Sequence, residues 1–321
     1  MKAIVYTKYG PPEVLELKEL EKPSPNENEV LVKVHSASVN PLDFHFMRGT
    51  PFFIRLMTGL RKPNIPRLGV DLSGTVEAVG RNVTQFKAGD EVWGNCKGSF
   101  SEFVCTREDK LALKPSNISF EQAAAVPVAA ITALQGLRDH GRIRSGQRVL
   151  IDGASGGVGT FAVQIAKSFG AEVTAVCSTG NLNTMKSIGA DHVIDYTKKN
   201  FTENGERYDL IFAANAFHSI FDYKRSLNSI GIYVMIGGGG AQMIQTTLLG
   251  PWLSMTGKKK MGGMLAKIIK RDLVFLNDLL ETGKVVPVID KRYPLSETSE
   301  AIRYLEEGHA RGKVIITIET Q

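Results

Sequence analysis

The sequence predicts an α/β fold in which a doubly wound parallel sheet is inserted into a β-rich domain. Three observations carry that prediction. The first is the run Gly153-Ala154-Ser155-Gly156-Gly157-Val158-Gly159. It lies between residues 147–151, which read as a buried strand, and residues 160–169, whose apolar positions 161, 162, 165, 166 and 169 share one helical face. The second is a change of rhythm near Glu121, from strand signals alone to strand and helix in alternation. The third is a lone closing strand, residues 313–318, whose partners are expected in the first part of the chain.

The elements follow in order. Residues 3–6, 30–34, 74–79, 91–93 and 100–104 alternate or run apolar, and Gly, Pro and Asn punctuate them, as in a compact barrel or sandwich. An alanine-rich helix begins at Glu121. Strand 147–151, helix 160–169, strand 172–176 and a helix from Asn183 come next, with Gly170-Ala171 ending the first of these helices. Strands 192–196, 208–212 and 232–236 follow, and the last runs into Gly237–Gly240. Residues 1–122 and 266–321 are therefore expected to form one domain, and residues 123–265 the inserted one. No internal repeat or low-complexity segment interrupts this pattern.

Composition narrows the class. With 321 residues, 43% hydrophobic and 22% charged, the chain is long enough for two cores and reads as globular. Cys96, Cys105 and Cys177 are odd in number and unpaired in spacing, which favours a reducing compartment. The chain enters strand-like sequence at once, without a leader pattern, and no apolar run reaches the roughly 18 residues a membrane span requires. A cytoplasmic location is expected.

The net charge of +6 is uneven: between Asp222 and Asp272 there is no acid and there are eight bases. Two readings stand: a solvated surface that helps attract an anionic cofactor, or a peripheral membrane contact through 258–271. Nucleic acid is not expected as a partner.

A glycine-rich turn from strand into helix aims backbone N–H groups and the positive helix end at one point, which suits a pyrophosphate. Ser155, Gly156, Gly157, Val158 and Gly159 are the expected contacts. At the end of the next strand, an acid would hold the ribose hydroxyls and repel a 2′-phosphate. Cys177-Ser178-Thr179-Gly180 supplies none, and Glu172 stands at the wrong end. NADPH is therefore the expected cofactor, with Ser178 and Thr179 beside its phosphate. Tyr196 is read as an adenine or phosphate contact, or as an ordinary strand-end tyrosine. Ala214-Asn215 and Gly237-Gly238 follow later strands on the same carboxyl edge, where their backbone groups are expected to hold the nicotinamide carboxamide.

Several segments resemble the medium-chain dehydrogenase/reductase superfamily: Ala123–Pro127 with Thr132–Gln135, Gly153–Gly159, and Ser187–Tyr196. Val39–Asp43 with Arg48-Gly49, Gly69–Gly74 and Gly308–Ile315 resemble its zinc-independent quinone oxidoreductase branch. The resemblance spans nearly the whole chain. It implies a chaperonin-10-like β-barrel catalytic domain, an inserted Rossmann domain and a cofactor cleft between them. It also places Asn40 and Thr132 at the nicotinamide or substrate oxygen, and Lys313 at a cofactor phosphate, with a solvated lysine before the closing strand as the other reading of Lys313.

Metal is not expected. Asn40 stands where zinc-dependent members of the superfamily carry a Cys, and Gly69-Val70-Asp71 stands for Gly-His-Glu. His35 and His45 flank Asn40 without a third ligand. Without a metal, reduction of an electrophilic acceptor is easier than oxidation of an alcohol. The leading expectation is hydride transfer from NADPH to a quinone or an α,β-unsaturated carbonyl compound, with the reacting carbons held within about 3–3.5 Å. Asp43 is expected to orient its neighbours, with general acid as the alternative, which would require a raised pKa. A proton donor is not named.

Residues 51–57 are expected to line the acceptor site or cover it, and residues 243–264 to form an opposite wall, a core helix or a homodimer contact. Three alternatives stand beside the leading one. They are an NADPH-binding protein with little turnover whose basic segment binds lipid or nucleic acid, a zinc-dependent alcohol dehydrogenase, and a ketone or acyl reductase.

Overall fold

The strand signals of the first third resolve into β1 (Lys2–Val5), β2 (Glu16–Glu19), β3 (Glu29–Val39), β4 (Asp71–Val79), β5 (Glu91–Asn95), β6 (Phe103–Arg107) and β7 (Leu111–Leu113) in the computed structural model, which describes residues 1–319. Val30, Val32 and Val34 are fully buried along β3, where β-branched side chains suit a pleated surface. β3 carries β4 on one side and β6 beside it, both antiparallel. The strand expected at 100–104 begins only at Phe103. The backbone of Phe100 is engaged elsewhere: its carbonyl accepts from Ile4 at 2.9 Å and its N–H donates to Leu68 at 3.2 Å.

The alanine-rich helix is two helices. Phe120–Ala124 starts from a capping box in which Ser119 and Gln122 bond each other's backbone. The second, Pro127–Gln135, begins at a proline, which has no N–H to continue the first.

The parallel sheet comprises β8 (Arg148–Asp152), β9 (Glu172–Cys177), β10 (His192–Asp195), β11 (Tyr208–Ala213), β12 (Leu227–Met235) and β13 (Lys260–Gly263), in the order β10-β9-β8-β11-β12-β13. Val149, Leu150, Ile151, Leu210, Ile211 and Phe212 are completely buried, as in a parallel sheet covered on both faces. The order reverses between β8 and β11, the switch point at which such sheets take ligands. β13 was not foreseen, because Lys-Met-Gly-Gly carries almost no strand signal. The methionine-rich stretch before it is the helix Gly240–Met255.

The chain then returns with β14 (Ile289–Pro294) and β15 (Lys313–Thr317). β15 pairs antiparallel with β3, Val314 facing Val39, so the closing strand does find its partner in the first third. β14 lies parallel on its outer side.

Two units result: residues 1–128, 268–281 and 287 onward, and residues 129–267 with 282–286. The first limit falls at 128 rather than 122, since Ser73 donates to the Phe120 carbonyl and Asp71 accepts the Val128 N–H. Residues 282–286 join the second unit, where Gln164 exchanges two hydrogen bonds with the Val286 backbone.

Candidate functional site

In the second unit the glycine turn follows β8 directly. Gly153 has φ +76°, and a Cβ there would stand 2.9 Å from the Asn215 nitrogen. A Cβ on Gly159 would approach the Gly153 carbonyl to 2.2 Å, so only glycine lets the helix Gly157–Ser168 begin this close to the strand. Gly156 is the extended N-cap, and no side chain caps the helix. The N–H groups of its first turn lack intrahelical acceptors, and with the helix dipole they fit a pyrophosphate. Ala154 N–H donates to Val176 O at 3.0 Å, which fastens the turn to β9.

The expected nicotinamide segments meet at the same edge of the sheet. The N–H groups of Ala214 and Asn215 reach the Asp152 carbonyl at 2.9 and 3.3 Å, and Ala216 N–H donates to Gly237 O at 2.8 Å. Ala216 also bridges to Gly238. Ala214, Asn215, Gly237 and Gly238 are thus drawn together with Gly153.

At the ends of β9 and β10 the picture changes in detail. The Thr179 hydroxyl donates to Asp195 Oδ2 at 2.6 Å, so it is already engaged. Ser178 Oγ accepts from Asn181 Nδ2 at 3.0 Å, leaving its own O–H to donate outward. Bonds from Thr179 and Thr197 hold the Asp195 carboxyl below its ordinary value. Lys198 lies 3.7 Å from that carboxylate and is well exposed. It was missed in the sequence, although its place two residues beyond Tyr196 marks it. Tyr196 is 61% exposed, and its N–H donates to Cys177 O, which sets it beside the end of β9.

The first unit gathers Asn40, Asp43, Asp71 and Lys313. Asn40 caps the helix Pro41–Arg48. Its amide donates to Asp71 Oδ2 at 2.9 Å and to Ser38 O at 3.3 Å, and its Oδ1 accepts from Lys313 Nζ at 2.7 Å. Asp43 accepts the N–H groups of Asn40 and Gly69 at 2.8 and 3.1 Å. Burial pushes the Asp43 carboxyl up to about 7. Through these bonds Asp43 ties the start of the helix to Gly69.

The phosphate role expected for Lys313 is corrected. Lys313 is 3% exposed, and its ammonium faces Asn40, the Val39 carbonyl and Asp71 inside the first unit. Burial pushes the lysine down and the Asp71 carboxyl up, and each is opposed by the other's charge. Asn40, 2% exposed, uses both amide hydrogens and its oxygen in the same network.

Thr132 sits in the helix Pro127–Gln135 and is 9% exposed. Residues 51–57 enter a short helix, Phe53–Thr58, that buries Ile54 and exposes Phe53, Leu56 and Met57. Met243 and Met264 line a cavity of about 450 Å³ with Met235, Ile236, Thr246 and Leu265. Lys258–Lys267 and Lys270 belong to different units, and Lys259 and Lys270 donate to backbone carbonyls. Among the described residues no helix is long and apolar enough to cross a membrane.

Residues 26–116 match the alcohol dehydrogenase GroES-like domain family, and residues 188–316 match a family described as zinc-binding dehydrogenase. The 2-methylene-furan-3-one reductase of Solanum lycopersicum is 37% identical over 98% of this chain and 79% of its own length. The chain belongs to the zinc-independent quinone oxidoreductase branch of the medium-chain dehydrogenase/reductase superfamily. The chloroplastic NADPH-dependent alkenal/one oxidoreductase of Arabidopsis thaliana is 35% identical over the same shares. The solved quinone oxidoreductase of Coxiella burnetii superposes with a TM-score of 0.87 at 30% identity, each chain covered to 99%.

This member of the superfamily is accordingly an oxidoreductase that uses a nicotinamide cofactor. The zinc in one family description finds no matching donor set here. Among the described residues no three His, Cys, Asp or Glu side chains cluster for a metal. Val70 stands at the position of the imidazole ligand and carries no donor atom, and Asp71 beside it already accepts from Ser38, Asn40 and Val128 and faces an ammonium.

Proposed function

We propose that the chain is an NADPH-dependent reductase of α,β-unsaturated carbonyl compounds, with quinones as further acceptors. The observation that carries the cofactor choice is the end of β9, where Ser178 presents a hydroxyl and no carboxylate. The one acid nearby, Asp195, is engaged by Thr179 and Thr197 and faces Lys198. That combination admits a 2′-phosphate. Ser155 to Gly159 bind the pyrophosphate through the helix N-terminus, and Tyr196 lies beside the adenosine end. The loop after β11 and Gly237-Gly238 orient the nicotinamide through backbone groups. When bound, the cofactor supplies a hydride to the acceptor. The reductases of tomato and Arabidopsis named above favour the unsaturated carbonyl class, and the likeness to the Coxiella enzyme favours quinones as the second reading.

The residues support acceptor reduction by binding and positioning. The methionine-lined cavity beside the end of β12 suits a flat apolar acceptor, because thioether side chains adapt to its shape. The test is NADPH oxidation, followed by loss of its absorbance, against 1,4-benzoquinone, 9,10-phenanthrenequinone, 1-octen-3-one, an alkenal and a simple ketone, with and without chelator. The expected result is chelator-insensitive turnover of the enone or alkenal, with little on the ketone. Turnover of the ketone alone, or turnover lost on chelation, would overturn the reading.

A further inference from the structure

Asp152 closes β8 and immediately precedes the glycine turn. It is 7% exposed, and a buried carboxylate is costly unless it is bonded. Its Oδ2 accepts the Tyr223 hydroxyl at 2.5 Å. Tyr223 is itself fully buried, in the helix Ile220–Ser226, and stacks on Tyr233 with ring centroids 4.6 Å apart. The same phenol oxygen accepts the Phe217 N–H at 3.0 Å, with the His218 N–H at 3.5 Å. The Asp152 carbonyl meanwhile accepts from Ala214 and Asn215. One residue therefore grips both ends of the loop after β11, its start through the main chain and its end through the phenol.

The packing against Tyr233 needs only a ring at position 223. The hydroxyl adds something different: it converts a buried acid into an anchor for two backbone N–H groups 65 and 66 positions further along the chain. Burial pushes the Asp152 carboxyl up to about 6, and the bonds from Tyr223 and from the Gly153 N–H oppose that rise. Two glutamines of the helix Gly240–Met255 complete the fastening of the loop: Gln242 donates to Phe217 O and Gln245 accepts the Ile220 N–H.

We propose that Asp152 and Tyr223 are positioning residues for the nicotinamide half of the cofactor, locking residues 214–218 in register with the glycine turn. This rests on reading the turn and that loop as the dinucleotide site. The pyrophosphate and the nicotinamide are held by separate segments, and a displacement of about 1 Å between them is enough to lose productive geometry.

The test uses the full chain with Tyr223→Phe, titrated with NADPH and with adenosine 2′,5′-bisphosphate, which lacks the nicotinamide half. The expected result is an NADPH affinity weakened about tenfold with bisphosphate affinity within about twofold of wild type. Amide exchange at Phe217 and His218 should rise while that at Ala214 and Asn215 stays as it was. Asp152→Asn, which keeps the volume and removes the charge, is held to the same split and serves if Tyr223→Phe does not fold. Equal weakening of both ligands, or of neither, overturns the proposal while leaving the dinucleotide site in place. A wild-type chain that binds neither ligand overturns the site reading and this proposal with it.

Discussion

The Lys313 ammonium lies 3.6 Å from Asp71 Oδ2 within the first unit, with the two side chains 4% and 0% exposed. The pair sits where β15 and β4 flank β3, and Asn40 bridges it by bonding both partners. Breaking one side of such a pair leaves a charge buried without compensation, which costs about 3–5 kcal/mol. Lys313→Met is therefore expected to lower the unfolding free energy by about that amount in urea titrations. The double variant Lys313→Met/Asp71→Asn should recover much of the loss. Folded Lys313→Met should bind NADPH within about twofold of wild type. A large loss of NADPH affinity at unchanged stability would return Lys313 to the phosphate.

The N-terminus of the helix Gly157–Ser168 gives a cleaner separation of folding from binding. An acid in the first turn interacts favourably with the helix dipole, by about 0.3–1 kcal/mol. Gly157→Asp should thus keep or slightly raise thermal stability. The same carboxylate meets the pyrophosphate with like charge, so NADPH affinity should fall by at least about a hundredfold. Calorimetric titration beside a melting curve checks both parts. Unchanged affinity would move the pyrophosphate away from this turn.

What was legible in the sequence follows from how local each signal is. The glycine turn was readable because strand, turn and helix lie within about twenty consecutive residues, and Gly159 answers to contacts inside that span, whereas the contact of Gly153 with Asn215 lies outside it. Lys313 was misread because its partner Asn40 is 273 positions away, and nothing near Lys313 in the chain announces a buried acid. Asp152 and Tyr223 were passed over for the same reason: neither stands in a motif, and their bond spans 71 positions. β13 was invisible because two of its four residues are glycines and its place is set by the ladder it makes with β12. Thr179 follows the end of β9, but its hydroxyl is turned to Asp195 by a strand pairing that only the fold reveals.

Asp43 makes a pH signature. Its carboxyl is raised from 3.8 to about 7, chiefly by burial. The folded chain therefore holds a proton there that the unfolded chain has released across that window. Its contribution to stability is complete below about pH 4 and is lost as the pH rises through about 7. The difference in unfolding free energy between wild type and Asp43→Asn should accordingly fall from pH 4 to 7, by at most about 1.4 kcal/mol per pH unit. Asp71 and Lys313 face Asp43 electrostatically, so the same series in Lys313→Met should shift the window upward. A flat difference across this range would mean that Asp43 is ionised throughout in the folded chain.

On the function proposed above, Ser178 is the residue at which the choice between the two nicotinamide cofactors is tested. Its oxygen is held by Asn181 Nδ2, and a carboxylate at position 178 would keep that donor, so Ser178→Asp preserves the local turn. On that reading the added charge repels the 2′-phosphate of NADPH and meets only ribose hydroxyls in NADH. NADPH affinity is expected to fall about a hundredfold, with NADH affinity within about threefold of wild type or improved, since an acid there accepts from the ribose hydroxyls. Lys198→Ala, by removing a cation beside this edge, should weaken NADPH more modestly, by about three- to tenfold, and increasingly so at low salt. Parallel titrations with the two cofactors at two ionic strengths read all of these. If NADPH and NADH weakened together in Ser178→Asp, the substitution would be acting on the turn rather than on charge, and the selectivity would have to reside elsewhere along the β9–β10 edge.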